Sequence, residues 1–226
     1  MNTKQTFNNE AEIYEQTSRA VNIFFDESLD VLVNSINLTN KNKIRILDVC
    51  CGTGILTQKV ASKFPKAELV GLDFAENMLS IAKERMKDYN FTALCIDVLD
   101  TQKITKLGKF DLIVSSFGIH NIHGFAEKQV AINNIYSALK LNGQYIALDY
   151  IKGEDKKECK HYTKTFIKFL RKTYNKKETK EWIKLLAEED EPETVKNNFN
   201  LLSNANFKEV KLLWQKEYIA IIQANK

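Results

Sequence analysis

Proline is nearly absent. The 226 residues hold two, Pro65 and Pro192, and only eight glycines. With so few breakers and 44% hydrophobic residues, the length suits one sizeable α/β core with room for an appended subdomain. No apolar run reaches about 18 residues, which excludes a helical membrane span. The first ten residues, MNTKQTFNNE, lack the apolar centre of a signal peptide. The four cysteines, Cys50, Cys51, Cys95 and Cys159, match no zinc spacing, and adjacent Cys50 and Cys51 rarely bridge each other. Reduced thiols in a cytoplasmic protein, with no metal, are the expectation. A net charge of +4 and a pI near 8.7 are too mildly basic to imply nucleic acid. Repeats and low-complexity tracts are missing too. Lysine and glutamate simply become denser after residue 152.

What is present gathers around Ile44 to Thr57, IRILDVCCGTGILT. Ile44 to Val49 reads as a buried strand with an acid, Asp48, near its end. A glycine-bearing turn follows, and Ile55 to Phe64 reads as an amphipathic helix stopped by Pro65. Glycine lets a ligand approach the backbone. The helix start offers unpaired N–H groups and positive dipole character. This is a cradle for a ligand with a polar or anionic end. A second apolar strand, Leu69 to Leu72, ends at Asp73. An acid about 20 residues past the turn is placed to accept from ribose hydroxyls. Dinucleotides and S-adenosylmethionine both carry that ribose. Gly52-Thr53-Gly54 is followed by Ile55, Leu56 and Thr57, so the third glycine of a dinucleotide fold is missing. A nicotinamide oxidoreductase is disfavoured accordingly.

The pattern Asp48-x-Cys50-x-Gly52-x-Gly54 resembles motif I of the class I S-adenosylmethionine-dependent methyltransferases, D/E-x-G-x-G-x-G. Cys50 replaces the first glycine, and CCGTG is similar to a variant of quinone-type methyltransferases. The resemblance runs from about Ile44 to Asn225. It implies a Rossmann-like three-layer α/β sandwich with a seven-stranded, mostly parallel sheet, a C-terminal antiparallel hairpin and a helical lid. Residues 1–40 are expected as leading lid helices and 41–151 as the cofactor-binding core. Residues 152–205 are expected as a helical insert and 206–226 as the closing hairpin. The cofactor implied is S-adenosyl-L-methionine, with S-adenosyl-L-homocysteine as product.

Residue by residue, the resemblance assigns Asp48, Cys50, Gly52 and Gly54 to the methionine end and Asp73 to the ribose. LDFAENML, after the second strand, resembles the family's adenine segment through Phe74 and Met78. Met78 at helical spacing also reads as plain core. The third strand, Phe91 to Ile96, ends at Asp97-Val98, where an Asp resembles the acceptor of the adenine amine. Tyr14 and Arg19 are candidates to reach the methionine end from the leading helices. Otherwise Tyr14 packs in its apolar stripe and Arg19 is solvated.

The fourth strand, FDLIVSS, runs from Phe110 to Ser116. Ser115 to His123, SSFGIHNIH, leaves its carboxyl end, where ligand sites of open α/β sheets lie. This is the family's motif IV, with Ser115 expected on the cofactor. Methyl transfer from a sulfonium is an in-line displacement whose leaving group needs no acid. The acceptor needs a free lone pair, and His120 is placed to take a proton. Positioning of the substrate and a purely structural role stay open for it. Substrate contacts are expected from His120, His123, Tyr150, His161 and Tyr162. Aromatic residues there would stabilise the sulfonium or a cationic acceptor.

Gln144 to Tyr150 is the fifth strand. Cys159 to Ala187 reads as one or two helices, with lysines at every fourth position from Lys160 to Lys184. Either the ridge touches RNA phosphates or it is a solvated face with interleaved glutamates. Glu193 to Asn204 is another helix, capped by Asp190 or Glu191, with Pro192 in its first turn and Asn206 as a left-handed stop. Phe207 to Gln215 and Tyr218 to Gln223 pair through a turn at Lys216-Glu217. Carboxy-S-adenosylmethionine synthases share this layout but hold a carboxylate with a late arginine, and no arginine lies between Lys172 and Lys226. The loop after the fourth strand holds no proline, unlike N/D-P-P-Y/F amino-methylating enzymes. The expected function is therefore methyl transfer to a small molecule, by a monomer or homodimer. A tRNA or RNA methyltransferase using the lysine-rich insert and a non-catalytic cofactor-binding module are the alternatives.

Overall fold

The computed structural model describes residues 3–38 and 44–226. The ends of the expected 1–40 and 41–151 segments, at 1–2 and 39–43, lie outside the described residues. Three helices lead the chain: α1 (Thr3–Glu10), α2 (Tyr14–Val21) and α3 (Phe25–Ser35). A single sheet follows, from β1 (Arg45–Val49), β2 (Glu68–Asp73), β3 (Phe91–Cys95), β4 (Phe110–Ser116), β5 (Leu139–Tyr150), β6 (Lys208–Lys216) and β7 (Ile219–Asn225). Its order is β3-β2-β1-β4-β5-β7-β6. The first five strands pair in parallel, and β7 runs antiparallel between β5 and β6. Strand order reverses between β1 and β4, so the crevice for a ligand opens at their carboxyl ends.

Residue parity builds the three layers. Successive strand side chains point to opposite faces. On one face Ile46, Leu112, Val114 and Ile146 pack with α3 and with α4 (Ile55–Lys63). On the other, Leu47, Val49, Ile113 and Tyr145 pack with α6 (Thr101–Lys106) and α7 (Phe125–Ala138), while α5 (Glu76–Arg85) leads from β2 to β3. The insert forms α8 (Lys156–Leu170), α9 (Lys176–Glu189) and α10 (Val195–Asn204).

The structure corrects three local expectations. β5 starts at Leu139 rather than Gln144, because α7 passes straight into the sheet and Asn142 takes a left-handed φ of 62°. The cap of α10 is Thr194, whose Oγ1 accepts from the Asn197 N–H at 3.1 Å. Glu193, after Pro192, bridges to Ile151 instead of entering the helix. The lysine ridge is broken, because α8 ends at Leu170 and α9 begins at Lys176 under an Asn175 capping box. Lys177 and Lys184 each approach a glutamate one turn on, at 3.9 and 3.7 Å. Asn206 has the expected left-handed φ, 70°.

Candidate active site

The turn after β1 is wound left-handed at alternate positions: Cys50, Gly52 and Gly54 have φ of 58°, 53° and 80°. At Gly52 a Cβ would meet nothing within 4 Å. That open space is the cradle. Asp73 braces it, since its Oδ2 accepts from the Gly52 N–H at 2.9 Å and its Oδ1 from the Ala75 N–H at 2.8 Å. Burial pushes the Asp73 carboxyl up, and these N–H groups pull it back down. Beneath the turn, buried Asp48 accepts from the Thr57 hydroxyl at 2.6 Å. Its Oδ1 has no partner. Burial raises its pKa to about 7. A buried acceptor left unmade under a backbone cradle fits a ligand bearing a cationic or hydrogen-donating end.

Cys50 occupies a conformation that costs a non-glycine residue roughly 1–2 kcal/mol. It also dictates a neighbour. A Cβ on Gly118 would lie 2.4 Å from the Cys50 Cβ. Gly118→Ala should therefore destabilise the fold by about 2 kcal/mol. Adding Cys50→Gly should recover more than half of that loss. Denaturant unfolding of the four proteins in the cycle measures the coupling, and simple additivity would show that the contact has no energetic weight.

Three cavities surround the turn. A narrow one is walled by Phe7, Tyr14, Cys50, Gly52, Asp73, Phe74 and Met78. A cleft of about 460 Å³ continues past Cys50 and Phe74 to Cys95, Asp97, Val98, Lys103 and His123. The third lies under α2 and α9, between Tyr14, Phe117, His120, Tyr150 and Trp182. His120 sits at its base in a one-turn 3₁₀ segment, Ile119–Asn121, that follows β4. It is 5% exposed. Its Nδ1 bonds the Asp149 carboxylate, and its Nε2 lies 3.5 Å from Asp190. Burial alone lowers its pKa, but Asp149 and Asp190 together outweigh that and hold it at about 10. Asp149 is fixed in turn by the His120 and Tyr150 N–H groups, at 3.1 and 2.9 Å.

Asp190 begins an acidic strap that ties the lid to the motif IV loop. The Glu191 N–H donates to the His120 carbonyl at 2.9 Å, and the Gly124 N–H donates to Glu191 at 3.2 Å. Buried Lys128 lies 3.9 Å from both Glu191 and Glu193. Burial lowers its pKa.

A family model described as a methyltransferase domain matches residues 40–223. The chain belongs to this methyltransferase family. The malonyl-(acyl-carrier protein) O-methyltransferase of Priestia megaterium is 29% identical over 143 residues, covering 63% of this chain and 49% of that protein. An O-methyltransferase family 2 protein from Planctomyces limnophilus, solved in complex with apigenin, aligns with a TM-score of 0.69 at 15% identity. That alignment covers 100% of this chain and 62% of that one. Human N-acetylserotonin methyltransferase, solved in complex with SAM, gives 0.61 at 17% identity, covering 99% and 55%. At such identities the structural likeness concerns the fold. The chain spans about half the length of the curated relatives it matches. Among the described residues no helix is long and apolar enough to cross a membrane.

In this member of the methyltransferase family, four expected site residues lie away from the cavities. Arg19 is bound by Asp26 at 2.9 and 3.0 Å on the surface. Ser115 shares the parity of Ile113, so it faces the α7 layer and hydrogen bonds Tyr145 at 2.9 Å. His161 is exposed and pairs with Glu217 at 2.8 Å. Tyr162 donates to Glu158 at 2.6 Å and packs toward Tyr218 on the β6–β7 hairpin side. His123 is present but lines the cleft of Asp97 rather than the cavity of His120. Tyr14, Cys50, Gly52, Asp73, Phe74, Met78, Asp97, Val98, His120 and Tyr150 do come together. Asp48 and Gly54 support the turn from behind.

The lid contact comes from α9 rather than α8, through Trp182, Leu185, Leu186, Glu189 and Asp190. Trp182, Leu185, Leu186 and Glu189 recur at helical spacing in the sequence, but α8 carries an apolar stripe of its own, so spacing alone does not choose between the two helices. The basic residue that ties α2 to the turn is Arg85, which donates to the Thr53 carbonyl at 2.7 Å and pairs with Glu15. Thr53 also donates to Glu15 at 3.1 Å. Arg85→Ala should weaken ligand binding at the turn about fivefold or more, by freeing α2 and loosening the Gly52 backbone, whereas Arg19→Ala should change it less than twofold. Titration of both variants with S-adenosylhomocysteine checks this, and equal effects would reject the anchor.

Proposed function

We propose that the protein transfers a methyl group from S-adenosylmethionine to a small-molecule acceptor held under α2 and α9. The observation that carries this is continuity. The cavity on the left-handed turn shares Cys50, Phe74 and Gly118 with the cleft that ends at Asp97, and Phe7, Tyr14 and Phe117 with the lidded aromatic cavity. Cys50, Gly52 and Asp48 would hold the methionine end, Asp73 the ribose, and Phe74, Met78, Asp97 and Val98 the adenine. When bound, the cofactor supplies an electrophilic methyl on a sulfonium.

The chain's own residues would contribute alignment and exclusion of water. Phe117, Tyr150 and Trp182 wall off the acceptor, and α9 covers it. His120, with both nitrogens on carboxylates and its pKa held near 10, carries its proton at neutral pH. It is therefore read as a positioning residue, fixing the motif IV loop and the end of α9 around the acceptor. A base at that position would be in its neutral form only about a thousandth of the time at pH 7. The broken lysine ridge leaves the RNA reading without a continuous phosphate track.

Calorimetric titration with S-adenosylmethionine, S-adenosylhomocysteine and NAD tests the cofactor. Micromolar binding of the first two and none of the third is expected. Failure of both sulfur ligands would overturn the assignment of the turn. Tight binding with no turnover on any acceptor pool would favour a non-catalytic module instead.

A further inference from the structure

The wall of the lidded cavity has a charge pattern that narrows the acceptor, given the methyltransferase reading above. Six aromatic rings contribute, from Phe7, Tyr14, Phe25, Phe117, Tyr150 and Trp182. Two carboxylates stand among them, Glu189 and Asp190. No lysine or arginine among the described residues reaches this wall. Arg19 lies over the Phe25 ring at 5.3 Å, but its guanidinium is committed to Asp26. The one cation is His120, and it is already placed between Asp149 and Asp190. Burial pushes the Glu189 carboxyl up against a hydrogen bond from the Thr6 hydroxyl, and the neighbouring Asp190 charge adds to the rise.

We propose that this cavity selects a cationic acceptor: a compact molecule with an aromatic or alkyl body and an amine, its nitrogen directed at Glu189. The physical grounds are complementary. A ring face attracts a cation within about 6 Å, more strongly when both are desolvated. A half-buried carboxylate on a wall without lysine or arginine gains most from a ligand that brings a cation. An anionic acceptor meets two carboxylates, while the one cation on the wall, His120, is already held between Asp149 and Asp190. The outer face of α9 has the same sign. The outer side of Trp182 faces a surface groove with Tyr174, Glu178, Glu181, Lys184 and Glu188, three carboxylates against one ammonium. Trp182 lies on both the inner cavity and this groove, so its ring separates them.

The test uses three probes that share a 2-phenylethyl body on the full chain saturated with S-adenosylhomocysteine: 2-phenylethylamine, 2-phenylethanol and 3-phenylpropanoate. The amine is expected to bind at least tenfold more tightly than the alcohol, and the carboxylate more weakly than either. Glu189→Gln should remove at least fivefold of the amine's affinity and leave the alcohol's unchanged, a charge-selective effect that loss of packing does not produce. Trp182→Leu should weaken both amine and alcohol. Equal affinities, preference for the carboxylate, no amine binding, or an unaltered preference in Glu189→Gln would each overturn the proposal. Saturation with S-adenosylhomocysteine is measured first. Its failure sinks the methyltransferase reading, whereas its success with no amine preference sinks only the acceptor class.

Discussion

Asp73→Ala should lower affinity for S-adenosylmethionine by at least a hundredfold. The carboxylate has two duties that fail together. It accepts from the Gly52 and Ala75 N–H groups at 2.9 and 2.8 Å, holding the left-handed turn at the right height. It is also the acid at the tip of β2, where ribose hydroxyls would donate. Hydrogen bonds to a charged group are worth roughly 1.5–3 kcal/mol each, and 1.4 kcal/mol is tenfold in affinity. Losing two such bonds gives a hundredfold or more. Asp73→Asn keeps the size and one acceptor oxygen, so it should fall between wild type and alanine. The control is the unfolding midpoint without ligand. Removing a buried carboxyl whose pKa is raised relieves desolvation, so Asp73→Ala should remain folded. A folded variant with unchanged affinity would remove Asp73 from the ribose and, with it, the reading of the β2 tip.

The difference between Asp73 and Ser115 shows which part of the site was legible in the sequence. Asp73 is fixed by local rules: an apolar run, an acid at its end, a glycine turn at a set distance. Each is read within one element, and the same rules yielded Gly52, Gly54, Asp97 and the five parallel strands. Ser115 also ends a strand, but its role depends on parity. Its side chain faces the α7 layer with Tyr145, and one residue of register decides that. Arg19 and Arg85 differ in the same way. Both sit on amphipathic helices, and only tertiary packing places Arg85 against the Thr53 carbonyl while Asp26 takes Arg19. Lid contacts were expected from His161 and Tyr162 of α8 because α8 and α9 are both amphipathic. Which one covers the cavity is set by the strap at Asp190–Glu193, a non-local tie that no periodicity encodes. Cys50 is the instructive departure. A residue that looked like a mild variation of a glycine motif forces Gly118, 68 positions later, to have no side chain.

The His120 clamp makes the second large prediction, and the sign of its pH dependence is definite. The folded state holds the imidazolium with a pKa near 10, against 6.5 for an ordinary histidine. Between those values the folded protein binds more protons than the unfolded chain, so stability falls as pH rises. The contribution is complete below pH 6.5 and gone above about 10. At 1.36 kcal/mol per pKa unit it reaches up to roughly 5 kcal/mol. Asp149→Asn removes the stronger carboxylate partner and leaves burial in command, which lowers the histidine pKa. The variant should be less stable than wild type at pH 6, by up to several kcal/mol, and the gap should close toward pH 10. Lysines, tyrosines and thiols titrate in the same alkaline range in both proteins, so the difference between the two curves isolates His120. Denaturant unfolding at pH 6, 8 and 10 measures it. A constant gap across that range would mean that His120 is neutral in the fold. The base role in methyl transfer, which the charged clamp denies it, would then be restored.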